Sequence, residues 1–355
     1  MQIAVALKRM LPGLALLLGL LVSPWTALPV SADTIEDLKG RSALSVSFGD
    51  LPQIAPLPAG AAVKPAGVKR DMKVYFIDVG QGDAQYIELP NGQNALIDGG
   101  PSNKKISAFL KQHGVDKIDH VVLTHPHADH YKGLNYVFDE LQVNNFYDTR
   151  MDNSGAKGDD VVREKAANEP GCSTSYPGIG QRLPWGDGVY AKVLNSCADK
   201  GSSIGGADGG REINNCSIVI KLEYDGRSVL FTGDAQSKVE RQMIERYGDK
   251  LTSNILKVGH HGSSESTIES FLNAVTPHIA VISVGNNGYG VPTSETLTRL
   301  QKVGAKIHRT DKSGTLVTPW VSSYSGEALS VRRYGEDDID STAPTYTFQL
   351  ADGAN

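Results

Sequence analysis

Four side chains that can bind a metal ion lie within six residues, directly after an apolar stretch. Residues 121–123 are apolar, and His125, His127, Asp129 and His130 follow them. Imidazole nitrogens and carboxylate oxygens are the ligands of zinc and related divalent metals. Such groups are costly to bury unless they are paired or bound to a metal. The pattern therefore predicts a metal site at the end of a strand.

The two halves of the chain repeat one order of elements: paired strands, a helix, and a strand that ends in a histidine-rich loop. Predicted strands cover residues 74–79, 84–89, 95–98, 121–124, 217–224, 228–232, 255–258, 279–283 and 305–310. Predicted helices cover residues 107–113, 236–247, 266–275 and 294–303. This order indicates an α/β fold in which two sheets pack face to face with helices outside, a four-layer αββα sandwich.

Composition divides the chain into four regions. Residues 1–32 have the pattern of a signal peptide, and residues 33–71, rich in Pro, Ala and Gly, are expected to be a linker or an extended arm. One large domain is predicted over 72–320, followed by a C-terminal strand and tail over 321–355. Within the domain, the glycine-rich residues 150–211 are predicted to be a loop-rich insertion, either a lid or a disulfide-stapled excursion.

The start of the chain predicts export to the periplasm or the extracellular space. Lys8 and Arg9 precede an apolar run over 10–22, and small residues at 30–32 suit cleavage after Ala32. An uncleaved membrane anchor is the alternative, but the run is short and is flanked by prolines. No later segment reaches about 18 apolar residues, so no stable membrane span is expected after cleavage.

The charge balance bears on possible partners. The formal net charge is −5, and removal of two basic residues with the leader changes it to −7. A protein that holds long nucleic acid by charge alone usually has the opposite sign. A nucleotide or oligonucleotide substrate stays open, and the sequence does not indicate an oligomeric state.

Three cysteines in an exported chain favour one disulfide and one leftover thiol. Cys172 and Cys197 both lie in a glycine-rich polar segment, so they are the expected pair. Cys216 opens an apolar strand and is expected to be a buried thiol.

Five blocks of sequence carry polar clusters at the ends of apolar strands. They are residues 76–83, 96–100, 124–130, 231–235 and 257–264. Together they resemble the metallo-β-lactamase-fold superfamily, most closely the hydrolase domain of ComEC-type DNA-uptake proteins and the related phosphorylcholine esterases. The resemblance covers roughly residues 72–318 and implies that 72–320 form a metal-dependent hydrolase domain.

The resemblance implies two metal positions. His125 and His127 would bind one ion. Asp129, His130 and His261 would bind the second, and Asp234 would bridge the two. Zinc is the expected metal, with manganese as the alternative.

The resemblance also implies supporting roles. His260 would face the substrate and, with Asp129, belong to the catalytic residues, although chain direction alone does not say whether His260 or His261 faces the metals. Asp98 would orient ligands, and Asn214 and Ser217 match a polar pair of the ComEC-like branch. Two further acidic side chains, Asp78 and Asp83, are expected to structure their loop.

Two departures from the superfamily stand out. No histidine lies between His130 and Asp234, where many members carry another ligand. The second ion is therefore expected to be water-completed, weakly held or absent, and the His125 and His127 pair is the less completely ligated position. Val291 stands where related domains often have a histidine. Four remaining histidines are expected to be structural or solvated: His113, His120, His278 and His308.

Two cations about 3.5–4 Å apart can share a hydroxide and clamp the oxygens of an in-line displacement. This chemistry favours a secreted hydrolase that acts on a phosphoester, either a phosphodiester or a nucleic-acid-like substrate. The first alternative is a carbonyl hydrolase acting on a β-lactam or lactone. The second is a non-catalytic metal-binding accessory protein of DNA uptake or of the cell surface.

Overall fold

The computed structural model describes residues 71–198, 203–204, 209–320 and 330–334. The predicted signal peptide and nearly all of the predicted linker lie outside the described residues. Of the predicted C-terminal tail, residues 330–334 are described and include a two-residue strand. Within the described ranges, no helix has the length and apolar character needed to cross a bilayer.

The first sheet has eight strands and is mixed. In spatial order its strands are β17 (Arg332–Arg333), β16 (Leu316–Trp320), β1 (Met72–Phe76), β2 (Gln85–Glu88), β3 (Asn94–Ile97), β4 (Lys117–Leu123), β5 (Gln142–Asp148) and β7 (Ser173–Ser175). The strands from β17 to β3 pair antiparallel, whereas β3, β4, β5 and β7 pair parallel.

The second sheet has seven strands and the same change of direction. In spatial order they are β15 (Lys306–Arg309), β14 (Ile279–Ile282), β13 (Ile255–Lys257), β12 (Arg227–Phe231), β11 (Val219–Tyr224), β9 (Tyr190–Asn195) and β8 (Arg182–Leu183). The strands from β8 to β12 pair antiparallel, and β12 to β15 pair parallel. A separate parallel pair joins β6 (Asp152–Asn153) and β10 (Ser203–Ile204).

Helices cover the outer faces of both sheets. Those packed on the first sheet are α1 (Asn103–Gln112), α2 (Ala128–Tyr131), α3 (Leu134–Glu140) and α4 (Gly158–Asn168). Those packed on the second sheet are α6 (Ser237–Tyr247), α7 (Glu269–Val275) and α8 (Ser294–Lys302). Two further helices, α5 (Gly209–Asn215) and α9 (Thr310–Ser313), lie between strands of the chain.

Alternation along the strands produces the layers. On β3, Ala95 and Ile97 face the core between the sheets, whereas Leu96 faces the helices. The core between the sheets contains residues from both, including Phe76 and Phe231, whose ring centroids are 6.2 Å apart. Because successive side chains of a strand point to opposite faces, a strand buried on both sides is apolar throughout. The predicted four-layer sandwich is confirmed.

Residues 150–211 hold more regular structure than their glycine content indicated. They contribute α4, the edge strand β7, and the strands β8 and β9 of the second sheet. β9 pairs antiparallel with β11 on one side and with the edge strand β8 on the other. Because glycines surround this strand in the sequence, its apolar alternation was hidden within a segment predicted to be loop-rich.

The predicted Cys172–Cys197 disulfide is wrong. Cys197 pairs with Cys216, with their Cα atoms 5.0 Å apart, and Cys172 is a free, half-buried thiol. The reason lies in strand pairing. Cys197 follows β9 and Cys216 precedes β11, and the antiparallel pairing of these strands places the two cysteines side by side.

Candidate metal centre

The ends of four strands deliver the predicted site residues to one edge of the sandwich. In the first sheet, Asp98 follows β3 and the residues 125–130 follow β4. In the second sheet, Asp234 follows β12, and His260 and His261 follow β13. Because β3 and β4, like β12 and β13, run parallel, their carboxyl ends lie together.

One carboxylate oxygen lies at the middle of the cluster. Asp234 Oδ2 is 3.3 Å from His130 Nε2 and 3.5 Å from His261 Nε2. The same oxygen is 3.7 Å from His125 Nε2 and 3.8 Å from His260 Nε2. A single buried oxygen thus faces four imidazole nitrogens from both sheets.

The candidate ligands form two groups that share Asp234. We call Asp129, His130, Asp234 and His261 the four-donor position, since their ligand atoms all lie within 4.8 Å of one another. We call His125, His127 and Asp234 the three-donor position, which meets the same distance limit. The structure therefore brings together all six residues for which a metal role was predicted.

The donor atoms fit divalent metal ions. His130 Nε2, His261 Nε2 and Asp234 Oδ1 are buried and have no hydrogen-bond partner among the described residues. A buried polar atom without a partner costs free energy. Because imidazole and carboxylate are ligands of zinc, manganese and iron, cations at both positions would satisfy these atoms.

Charge around the cluster also favours cations. Burial lowers the pKa of His125 well below its usual value, and burial likewise lowers the pKa of His127, so both are neutral bases at neutral pH. Burial opposes a charged His261, but the carboxylates of Asp234 and Asp129 outweigh it and raise the pKa of His261 to about 10. Without metals, buried carboxylates therefore draw protons onto ligand imidazoles.

Charged and backbone groups support the four-donor position. His130 Nδ1 lies 2.8 Å from Asp98 Oδ2, and Asp98 also accepts hydrogen bonds from the amide and hydroxyl of Thr124. His261 Nδ1 lies 2.8 Å from the carbonyl oxygen of Ser283 and donates to it. Each contact leaves Nε2 free to face the cluster and orients the ring. Asp98 thus occupies the place predicted for it.

Neutral groups support the three-donor position. Thr124 Oγ1 is 3.1 Å from His125 Nδ1, and Ser217 Oγ is 3.4 Å from the same nitrogen. The Ser217 hydroxyl also accepts a hydrogen bond from the amide of Asp234. Asn214 lies beside the His127 imidazole, and its Nδ2 is 3.5 Å from Nε2 of His260, which belongs to neither position. Asn214 and Ser217 therefore stand beside the site, as the sequence indicated.

The His260–His261 turn separates the two imidazoles. His260 and His261 have φ values of 47° and 53°, a left-handed backbone conformation that is uncommon for residues other than glycine. The turn points His261 inward, with its side chain 3% exposed, and leaves His260 28% exposed beside the cleft. His261 groups with the four-donor position, whereas His260 faces the opening.

The sequence profile of the family described as the metallo-beta-lactamase superfamily matches residues 77–286. The chain belongs to the metallo-β-lactamase superfamily. The prediction of a metal-dependent hydrolase of this superfamily is confirmed at that level. The four-layer architecture and the paired candidate positions described above are in accord with membership.

Two curated relatives each match about two thirds of the chain. The chain is 28% identical over 264 residues to ComE operon protein 3 of Bacillus subtilis (strain 168), covering 69% of this chain and 32% of that protein. It is 32% identical over 243 residues to competence protein ComA of Neisseria gonorrhoeae, covering 67% of this chain and 31% of that protein. The match thus spans about a third of the length of these relatives.

Solved structures are also similar to this chain at low sequence identity. One of them is a diphosphatase from the PhnP family, with a TM-score of 0.44 and 16% identity, covering 70% of this chain and 98% of that chain.

Beside the two metal positions lies a buried ion pair that was not predicted from the sequence. Lys257, at the end of β13, is completely buried, and its ammonium group contacts the Asp83 carboxylate. Lys257 Nζ also donates to the carbonyl oxygen of Gly233 at 3.0 Å and lies 4.0 Å from Asp234 Oδ1. Asp83 Oδ1 is 3.6 Å from His261 Nδ1. Asp83 therefore contributes charge to the centre as well as order to its loop.

The signal for this pair was present in the sequence. Lys257 ends an apolar strand two residues before Gly259, which the two histidines follow. A lysine in such a place must find a buried counter-charge. The partner, Asp83, comes from the far end of the domain, so spacing alone could not name it.

The remaining histidines lie away from the cleft. His113 Nδ1 is 2.8 Å from the carbonyl oxygen of Phe109, and His120 Nδ1 is 3.2 Å from the Tyr147 hydroxyl. Both are packed in layers of the sandwich, which agrees with the structural role predicted for them.

A cleft of about 430 Å³ opens over the two positions. It is lined by metal-position residues, by supporting residues and by two loops, as follows: Gln81, His127, Ala128, Asp129, Gly210, Asn214, Asp234, His260, His261, Ser263, Tyr289 and Val291. Its volume suits a ligand of the size of a mononucleotide or smaller drug-like molecule. Val291 lines the cleft at the position where a histidine was expected from the resemblance.

Proposed function

We propose that this chain is a two-metal phosphodiesterase that acts outside the cytoplasm on a small or oligomeric phosphoester. The observation that carries the proposal is the Asp234 Oδ2 atom, which lies 3.3–3.8 Å from four imidazole nitrogens at the base of an open cleft. A structural metal site is normally closed by four ligands and needs no exposed imidazole beside it. Here His260 remains outside both donor groups and faces the cleft.

Two divalent cations would polarise a phosphoryl group and supply a nucleophile from water at neutral pH. In hydrolysis, the water oxygen bonds to phosphorus, the bond to one alcohol oxygen breaks, and that alcohol takes up a proton. We assign the cleft-facing imidazole of His260 to hydrogen-bond a phosphoryl oxygen as negative charge develops there. The Asp129 carboxylate, 32% exposed, is placed to orient the attacking water.

Two observations favour a phosphoester over a carbonyl substrate. The imidazole of His260 gives the cleft a hydrogen-bonding group suited to an anion. The relative named a competence protein supports a nucleic-acid-like substrate. The net charge of −5 favours a short piece of such a substrate over a long duplex.

We propose zinc or manganese as the resident metal, because the donor set suits both ions. Elemental analysis of protein purified without added metal identifies the ion that the chain retains. Iron as the only retained metal would contradict this assignment.

The substrate proposal is tested with purified protein loaded with manganese or zinc. We expect hydrolysis of bis-p-nitrophenyl phosphate and of single-stranded DNA, and none of a chromogenic β-lactam. Turnover of the β-lactam alone would reject the phosphoester proposal. Stoichiometric metal with no turnover of any of the three would favour a non-catalytic accessory protein.

The role of His260 is tested with a matched pair of variants. We expect His260→Gln to lower kcat for bis-p-nitrophenyl phosphate by roughly a hundredfold while metal content stays unchanged. His278→Gln, at an exposed histidine far from the cleft lining, is the control and should match the parent protein. A His260→Gln variant that lost metal instead would make His260 a ligand.

We also propose that the chain is exported. The Cys197–Cys216 disulfide supports this, since disulfides persist in oxidising compartments. N-terminal sequencing of secreted or periplasmic protein should begin at Asp33. Protein that begins at Met1 would contradict cleavage.

A further inference from the structure

Tyr289 is the most exposed large hydrophobic side chain among the described residues. It is 81% exposed, compared with 44% for Tyr176 and 43% for Val161. An aromatic ring held in water contributes little to folding, because it buries almost no apolar surface. Its position therefore calls for an explanation outside the protein's own core.

The ring stands at the metal cleft. Tyr289 lines the same cleft of about 430 Å³ as Asp129, His260 and His261. An exposed aromatic residue elsewhere on the surface would be unremarkable, but this one borders the place where a phosphoester would bind.

The loop that carries Tyr289 is fixed by one side chain. Asn287 Oδ1 accepts hydrogen bonds from the amides of Tyr289 at 3.0 Å and Val291 at 3.3 Å. Asn287 Nδ2 donates to the carbonyl oxygens of Gly285 and Val291, each at 2.9 Å. Four hydrogen bonds within a short loop hold its backbone in one shape and so fix the point from which the ring extends.

The start of the loop is also anchored against the other half of the domain. Gly285 lies so close to the Gly80–Gln81 backbone that a Cβ atom on Gly285 would be 2.4 Å from the Gln81 nitrogen. The Gly285 amide donates to Gln81 Oε1 at 3.3 Å, and Gln81 lines the cleft as well. Only glycine permits this approach, which fixes the loop relative to the metal ligands.

We infer that Tyr289 is a stacking platform for one nucleobase next to the scissile phosphate, an inference that rests on the proposed phosphodiesterase function. A base stacks on an aromatic side chain without sequence preference, since every base has a π-face. One ring beside a cleft of this size accommodates one base. The predicted substrate class is a single-stranded nucleotidyl phosphodiester, whose unpaired bases can leave their neighbours.

The test compares two single-stranded oligonucleotides of equal length and charge. One carries thymine bases and the other carries abasic tetrahydrofuran units, so only the stacking partner differs. For the metal-loaded parent protein, we expect KM for the abasic oligonucleotide to exceed KM for the thymine oligonucleotide by roughly tenfold. We expect Tyr289→Ala to bring that ratio close to unity.

Two variants separate stacking from other effects. Tyr289→Phe keeps the ring and removes the hydroxyl, so the KM ratio should stay near that of the parent. Tyr176→Ala removes another exposed tyrosine, which does not line the cleft, and should leave the ratio unchanged. A Tyr289→Ala variant that retains the parent ratio would overturn the inference, as would a parent ratio near unity.

A binding measurement distinguishes this inference from the proposed function. Fluorescence anisotropy with the two labelled oligonucleotides gives Kd values for the metal-loaded protein even if nothing is hydrolysed. Base-dependent binding that Tyr289→Ala removes supports the platform, and absence of hydrolysis would then reject the phosphodiesterase alone. Equal binding of both oligonucleotides would reject the platform whatever the activity.

Discussion

The two candidate metal positions share Asp234 but differ in donors and in what stands behind them. The four-donor position has two carboxylates and two imidazoles, whereas the three-donor position has one carboxylate and two imidazoles. Behind the first lie Asp98 and the Asp83–Lys257 pair. Behind the second lie two hydroxyl groups, from Thr124 and Ser217.

This difference shows how two neighbouring metal positions can differ in affinity although both lie at the same edge of two similar sheets. Carboxylates that accept a hydrogen bond from a ligand imidazole raise its basicity, and hydroxyl groups do so less. The four-donor position has one more donor and is contacted by charged side chains, and both features favour tighter metal binding there. We therefore expect one ion held firmly and a second held weakly.

The bridging role of Asp234 gives the largest expected effect. Asp234→Ala removes the only carboxylate common to both positions, so the variant should lose both ions and at least about a thousandfold in kcat/KM for bis-p-nitrophenyl phosphate. Elemental analysis and steady-state kinetics measure the two losses. Asp187→Ala, at an exposed aspartate, is the control. Retention of both ions in the Asp234→Ala variant would refute the bridge.

Removing one ligand from each position in turn tests directly which position binds its metal ion more tightly. His261→Ala should lose the firmly held ion, whereas His125→Ala should keep about one equivalent of metal after dialysis. Both variants should lose activity, because hydrolysis requires the two ions together. Metal retained by His261→Ala and lost by His125→Ala would reverse the assignment of the stronger position.

The buried ion pair behind the four-donor position predicts a stability effect. Lys257→Met leaves the Asp83 carboxylate buried without its partner, so the free energy of unfolding should fall by about 3 kcal/mol. Denaturation of the metal-free protein measures it. The double variant Asp83→Asn with Lys257→Met should lose less than the sum of the single variants. Strict additivity would mean that the two side chains do not interact.

The smallest expected effect concerns the amide beside the three-donor position. Asn214 Oδ1 is buried without a hydrogen-bond partner among the described residues. Asn214→Asp adds a carboxylate there and should tighten the weaker ion by roughly tenfold, while Asn214→Ala should loosen it by a similar factor. Titration of each variant with manganese measures the affinity for the second, more weakly bound ion. Equal affinity in all three proteins would remove Asn214 from the site.

The sequence predicted that the site residues lie together at strand ends, whereas their metal roles were implied only by the family resemblance. His125, Asp98 and Asp234 follow apolar strands, and parallel neighbours bring such ends together. The layers followed equally well from the alternation of strands and helices. The end of a strand and the type of an element depend on residues that are close in sequence, so one segment is enough to predict each of them.

The rest depended on contacts between distant segments. Asp83 meets Lys257 only after both sheets have formed, and Cys197 meets Cys216 only because β9 pairs with β11. A left-handed turn decides which of His260 and His261 faces the metal positions. The conformational preferences of histidine do not indicate such a turn.

The most direct test of the unequal two-position centre is a titration of the metal-free protein with manganese, followed by electron paramagnetic resonance. We predict two binding steps, the first of about one equivalent and the second at least about tenfold weaker, with spin coupling between the ions once both are bound. Two equivalents that bind with equal affinity, or that show no coupling, would contradict the account.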